Sequence, residues 1–201
     1  RLEVGVPSVR SKSVLELGAG TGVVGLTLGR LGARVTMTDF EPEVLELLRR
    51  NAGINDPGSA LEVRALDWRA PSTYLRSRSF DLVVAADVLY SSCNTIFMPA
   101  LAAHMSREAS TVALVACPPR NDSPLSSFFS KAFEMGFCID RLEGTDGRPV
   151  GGVQGQPASV FDGSRFVELG PERCAAIARD KQSSEQIFRI MWTRPPSTPR
   201  E

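Results

Sequence analysis

The chain holds a single histidine, His104, and only four cysteines, Cys93, Cys117, Cys138 and Cys174. No two cysteines form a C-x-x-C pair, so the clustered Cys and His spacing of a zinc site is missing, and no metal is expected. No apolar run approaches the roughly 20 residues that a membrane-spanning helix needs. Residues 1–12 lack the apolar core of a secretory leader, and the cysteine pattern fits reduced thiols. The expected location is cytoplasmic, with the nucleus as the alternative. Charge of one sign is also lacking: 23 basic and 23 acidic residues give a formal net charge of zero. A dedicated nucleic-acid binder needs positive excess to displace phosphate counterions, so that class is not expected.

What is present fits one globular unit. At ~150 residues per domain, 201 residues make roughly one domain. Such a chain buries ~70% of its unfolded surface without staples. The expected domain covers residues 1–193, with a surface insertion over about 144–184 and a proline-rich tail at 194–201. The chain starts at Arg1 rather than at a methionine, as a fragment would.

The apolar pattern alternates strand and helix. Ser13–Leu17 (SVLEL) reads as a strand that stops at Gly18. Residues 21–31 read as a helix carrying Val24, Leu28 and Leu31, with Gly32 as its stop. A second strand runs over 33–38 to Asp39, and Pro42 opens a second helix whose apolar face is Val44, Leu45, Leu48 and Ala52. Strands follow at 61–65, 80–86 and 111–117, with a helix somewhere in 94–108 that Pro99 either starts or kinks. Ser123 and Pro124 cap a helix with the stripe Leu125, Phe128, Phe129, Ala132 and Phe133, and Gly136 ends it. A sixth strand is expected at 137–142, a short helix at 171–179, and a last strand at 186–192. That last strand would run antiparallel to the sixth if the insertion joins them as a long hairpin. The repeated β-α rhythm predicts an α/β fold with a mostly parallel sheet and helices on its faces.

The segment Glu16-Leu17-Gly18-Ala19-Gly20-Thr21-Gly22 carries most of the chemistry. Glycines between a strand and a helix turn the chain sharply and let its backbone approach a ligand. Gly20, Gly22 and Gly25 fit a dinucleotide G-x-G-x-x-G. Glu16, Gly18, Gly20 and Gly22 fit the E-x-G-x-G-x-G of S-adenosylmethionine enzymes. The first glycine after the strand is Gly18, two positions early for the dinucleotide register, which favours the methyl donor. Asp39, at the end of the second strand, suits the ribose hydroxyls; its alternative role is a cap for the helix near Pro42. Asp67 and Trp68 follow the third strand on the same sheet edge. Trp68 suits an adenine face, or else a half-buried place in the core. No Tyr-x-x-x-Lys is present, and His104 reads as a surface or boundary residue, so hydride transfer has no evident proton donor.

Asp87 ends the fourth strand, where open α/β sheets bind ligands. Tyr90 lies three residues on. In a helical turn both side chains would share one side, and a carboxylate beside an aromatic ring suits a cationic acceptor.

The stretches VLELGAGTGVVGL, TD at 38–39, LDW at 66–68 and FDLVVAADVLY at 80–90 resemble the seven-β-strand protein-lysine methyltransferases of the methyltransferase-like family 16. The likeness covers roughly residues 13–117, with a weaker echo in QIFRI. The D-V-L-Y element matches the family's D/E-x-x-Y/F motif. The resemblance implies a Rossmann-like class I fold: seven strands, mostly parallel, the last antiparallel. It implies S-adenosylmethionine as cofactor, held by Gly18, Ala19, Gly20, Asp39, Trp68 and Ala86, and substrate-side roles for Asp87 and Tyr90. Glu16 and Asp67 complete the expected cofactor set from their own motifs. It also implies a protein substrate such as a chaperone or translation factor. Family members cover the donor with an N-terminal tryptophan segment, which residues 1–12 do not match. The expected activity is methylation of a lysine ε-amine. The alternatives are another acceptor, either a different protein side chain or a small metabolite, and a catalytically inactive binding module.

Overall fold

The computed structural model describes residues 9–55, 60–90, 94–106, 111–118, 124–143, 165–179 and 186–192. Cys93, Ser123 and the tail at 194–201 lie outside the described residues. The elements run β1 (Ser13–Leu17), α1 (Val23–Arg30), β2 (Arg34–Asp39), α2 (Pro42–Asn55), β3 (Leu61–Ala65), β4 (Leu82–Ala86) and α3 (Asn94–Ala103). Then come β5 (Val112–Cys117), α4 (Pro124–Glu134), β6 (Phe137–Glu143), β7 (Arg165–Glu168), α5 (Pro171–Arg179) and β8 (Gln186–Trp192).

One sheet has the order β3-β2-β1-β4-β5-β8-β6-β7. The first five of these strands are parallel. The last strand, β8, is antiparallel to β6 as expected, and it also slots between β6 and β5. The expected seven strands become eight, because the insertion supplies β7 on the outer edge of β6, together with α5. It is therefore not a simple hairpin connection.

Alternate residues of each strand enter two cores. Val14, Val35, Met37 and Val84 face α1 and α2, against Leu48 and Ala52. Leu15, Leu17, Val83, Ala113, Val115 and Phe188 face the other layer, against α3, α4 and α5. There Phe97, Phe128 and Phe188 are fully buried, each contributing about 1.5–3 kcal/mol over an exposed position. Phe128 and Phe129 carry the α4 stripe as expected. Leu31, by contrast, is 56% exposed, because α1 ends at Arg30 and Leu31 is its cap. Pro42 takes the first position of α2, while Pro99 sits inside α3 and neither starts nor ends it. Arg141 and Arg173 both donate to Glu143 Oε1, at 2.6 and 2.8 Å, which ties α5 to β6.

Candidate active site

The chain leaves β1 toward β2 and leaves β4 toward β5, so the neighbouring strands β1 and β4 diverge at their carboxyl ends. Divergence of this kind opens a crevice, the usual ligand position in an open α/β sheet. A cleft of about 410 Å³ lies there, within the range of about 300–1,000 Å³ for small-molecule sites. Gly18, Gly20, Asp39, Asp67 and Trp68 line one side, and Asp87 and Tyr90 the other. Glu16, Ala19 and Ala86 are not among the lining residues.

The floor of the cleft is built by the β1–α1 loop. Gly18, Gly20 and Gly22 all have positive φ (68°, 55° and 87°), the left-handed region that glycine enters without a Cβ clash. Thr38 Oγ1 donates to the Glu16 carbonyl at 2.6 Å, and Ala19 N–H donates to the Thr38 carbonyl at 2.8 Å. These bonds lock the loop to β2. Glu16 itself lies under the loop, 3% exposed, where its Oε2 accepts the Gly25 N–H of α1 at 3.0 Å. Burial, offset in part by that hydrogen bond and reinforced by nearby Asp39, raises its pKa to about 7. Glu16 therefore supports the loop from behind.

Asp39 Oδ2 accepts the Gly20 N–H at 3.0 Å, and Oδ1 accepts the Phe40 N–H at 2.8 Å. Its carboxylate thus joins two loops instead of capping the first turn of α2. Oδ1 also accepts the Glu41 N–H at 3.5 Å, so the second lone pair of Oδ2, which takes only the Gly20 bond among the described contacts, is the acceptor capacity left for a ribose hydroxyl. Trp68 is half-buried against the core and is also exposed to the cleft. Its ring meets Phe97 edge-on at a centroid distance of 5.1 Å, and it also lines the cleft beside Gly18. The turn at Pro71–Thr73 holds this stretch: Thr73 Oγ1 accepts the Asp67 N–H at 3.0 Å, and the Tyr74 hydroxyl donates to the Trp68 carbonyl at 2.7 Å. The Asp67 carboxylate is engaged by Arg69, whose hydrogen bonds hold its pKa below the usual carboxylate value.

Asp87 has φ 55°, and its N–H donates to the Ala116 carbonyl of β5 at 2.8 Å. The turn after β4 is therefore left-handed at Asp87, and residues 87–90 are not helical as supposed. Asp87 and Tyr90 nevertheless line the same cleft, both exposed. Asp is among the few side chains that tolerate this backbone region.

Leu66, Val88 and Ile96 also line the cleft, and so do two residues with chemistry of their own: Phe40, next to Asp39, and Arg69, next to Trp68. Adjacency to a motif residue was the only sequence signal for either. His104 differs from its expected surface place. It is 4% exposed, its Nε2 accepts the Leu75 N–H at 2.9 Å, and its Nδ1 lies 2.7 Å from the Ala100 carbonyl. This is the tautomer protonated at Nδ1, and burial holds its pKa below the ordinary value. It ties α3 to the loop after β3 and stands outside the cleft.

Comparison with known proteins agrees with this geometry. In sequence, the chain is 37% identical over 119 residues to protein N-lysine methyltransferase METTL21A of Danio rerio, covering 58% of this chain and 54% of that one. It is 32% identical over 132 residues to EEF1A lysine methyltransferase 3 of Mus musculus, covering 65% of this chain and 56% of that one. The chain thus spans little more than half the length of these two relatives. In structure, a TehB-like SAM-dependent methyltransferase from Corynebacterium glutamicum superposes with a TM-score of 0.60 at 16% identity, covering 92% of this chain and 82% of that one. That likeness speaks for the fold. The family model described as lysine methyltransferase matches residues 3–134, from the segment before β1 to the end of α4, and so takes in every residue that lines the cleft. The chain belongs to that lysine methyltransferase family.

Proposed function

We propose that the protein transfers a methyl group from S-adenosylmethionine to the ε-amine of a lysine on a partner protein. The observation that carries this reading is one cleft lined by two acceptor carboxylates on either side of β1: Asp39 at the end of β2 and Asp87 just after β4. The residues present fit the donor. A Cβ on Gly20 would meet nothing within 4 Å, so the bare backbone faces open space. Asp39 keeps acceptor capacity for a ribose hydroxyl, and Trp68 offers an aromatic wall.

Gly18, Gly20, Asp39 and Trp68 would hold the donor. When bound, it supplies an electrophilic methyl on a positively charged sulfur. Every other task falls to the chain. A free lysine has a pKa of ~10.4, so its ammonium must lose a proton before the nitrogen lone pair can attack. Asp87 accepts from the amine and orients it, and the exposed ring of Tyr90 offers a π-face to the cationic group. The amine lone pair would take that methyl as the thioether leaves with the S–C electron pair, the ammonium proton having passed to solvent, so the work of the chain is mainly alignment. No covalent enzyme intermediate is required.

One relative is named for EEF1A, so a translation factor is the first substrate to try. The cytoplasm is the compartment proposed, checked by fractionation. The decisive experiment incubates full-length protein with methyl-labelled donor and cell extract, then hydrolyses the labelled protein. Label recovered as methyllysine supports the reading. Label in another residue or a metabolite changes the acceptor, and donor binding without transfer identifies a binding module. Asp39→Ala removes a charged acceptor worth ~1.5–3 kcal/mol, so donor affinity should fall roughly 10- to 150-fold.

A further inference from the structure

We propose that Arg69 is a positioning residue, a latch that holds together the two loops around the adenosine end of the donor site and so sets donor affinity. The inference rests on the donor-binding reading above. Arg69 places three donors on one carboxylate: Nε on Asp67 Oδ1 at 2.9 Å, Nη2 on Asp67 Oδ2 at 3.0 Å, and its own backbone N–H on Oδ1 at 2.9 Å. The same guanidinium lies over the Phe40 ring, 4.6 Å from the centroid. Asp67 and Arg69 belong to the loop after β3, and Phe40 to the loop after β2. Phe40 is in turn bonded through its N–H to Asp39, which also holds Gly20 after β1.

A continuous chain of contacts therefore runs Asp67–Arg69–Phe40–Asp39–Gly20 across three loops, and all five residues line one cleft. Phe40 is 41% exposed, and among the described residues the Arg69 guanidinium covers one face of its ring. Only a planar guanidinium can clasp a carboxylate with two nitrogens and stack on a ring at once; a lysine ammonium is a point charge and cannot do both. Arg69 also balances Asp67 in a cleft that already contains Asp39 and Asp87. Without it, the Phe40 wall is free to turn outward and the Asp67 carboxylate faces the ligand without its guanidinium.

The test titrates S-adenosylhomocysteine and 5′-methylthioadenosine into full-length wild type, Arg69→Ala and Arg69→Lys. The two probes share the adenosine end and differ at the amino-acid end. For Arg69→Ala both dissociation constants should rise by the same factor, about five- to tenfold, as expected for losing an exposed cation–π contact and an exposed ion pair. Arg69→Lys should recover only part of this. Thermal midpoints should stay close to wild type, because the side chain is largely exposed. Unchanged affinities in Arg69→Ala, a loss confined to S-adenosylhomocysteine, or full recovery in Arg69→Lys would each overturn the latch while leaving the donor reading intact. A wild type that binds neither probe would overturn both.

Discussion

Glu16 Oε2 and the backbone N–H of Gly25 meet at 3.0 Å beneath the loop that forms the floor of the cleft. The contact leaves no room for a side chain at Gly25, where a Cβ would collide with Glu16 Oε2 and sit 2.5 Å from Met37 Cγ. Gly20 differs: its Cβ would meet open space, but its φ of 55° is costly for alanine. Gly25→Ala should therefore lose about 1–3 kcal/mol of stability through overpacking. Gly20→Ala should lose about 1–2 kcal/mol through backbone strain, and its donor affinity should fall as well, because its Cβ would enter the ligand's space. Urea denaturation with donor titration checks the pair. Undiminished donor affinity in Gly20→Ala would remove the loop from the binding site.

The same carboxyl makes stability depend on pH. The Glu16 pKa rises from an ordinary 4.5 to about 7 on folding. The folded state thus binds more protons than the unfolded state between these values. The Glu16 contribution is fully present below pH 4.5 and is lost as pH rises through about 7. At ~1.4 kcal/mol per pKa unit, the contribution is on the order of 3 kcal/mol. Glu16→Gln imitates the neutral form, so its stability should be flatter than wild type between pH 5 and 8 and should exceed it at pH 8. Parallel denaturation curves for the two proteins across that range would show that Glu16 does not titrate there.

His104 works in the opposite sense. Its pKa is lowered by burial, so the folded state prefers the neutral ring that accepts from Leu75. Protonation would turn Nε2 into a donor facing another donor. The stability it supports is complete above the ordinary value of 6.5 and declines as pH falls through it toward the folded-state pKa. As the chain's one histidine, it gives a single imidazole signal to follow by NMR. That signal should titrate below 6.5 in the folded protein. A midpoint at or above 6.5 would contradict the buried neutral ring. His104→Ala leaves the half-buried Leu75 N–H without its ring acceptor and should cost about 1 kcal/mol.

Local signals made much of this molecule readable. Pro42, Gly32 and Gly136 mark helix ends because their backbone preferences act within one turn. The Phe128–Phe129–Ala132 stripe is readable because helical period and burial coincide. Asp39, Trp68 and Asp87 were found from their places at strand ends, which in a parallel sheet all open on one edge. Two kinds of feature stayed hidden. Non-local pairing put β8 between β5 and β6, and nothing in QIFRIMW chooses a neighbour. Residues with ordinary sequence surroundings acquired roles only from contact. His104 follows the alanine-rich end of α3 and gains its partner from Leu75, 29 positions away. Arg69 and Phe40 lie 29 positions apart in sequence and meet only because β2 and β3 are paired.

At Asp87 the proposed chemistry and a backbone constraint coincide, and the choice of variant follows from that. With φ at 55°, alanine or valine at this position would strain the turn after β4 as well as remove the carboxylate. Asparagine tolerates the left-handed region and keeps the shape, so Asp87→Asn isolates the charge. Asp39, on the far side of the cleft, holds Gly20 without help from Asp87, so donor affinity should stay within about twofold of wild type. Methyl transfer should slow by roughly 10²–10³, the usual cost of losing one positioned electrostatic contact in the transition state, about 2.7–4 kcal/mol. Tyr90→Phe should cost little, since the ring face remains for a cation, and Tyr90→Ala should cost more. Single-turnover methylation by each full-length variant, alongside its donor affinity, separates the two effects. Wild-type transfer by Asp87→Asn would take Asp87 out of the reaction. If it instead abolished donor binding while Asp39→Ala bound normally, the two carboxylates would have to exchange roles.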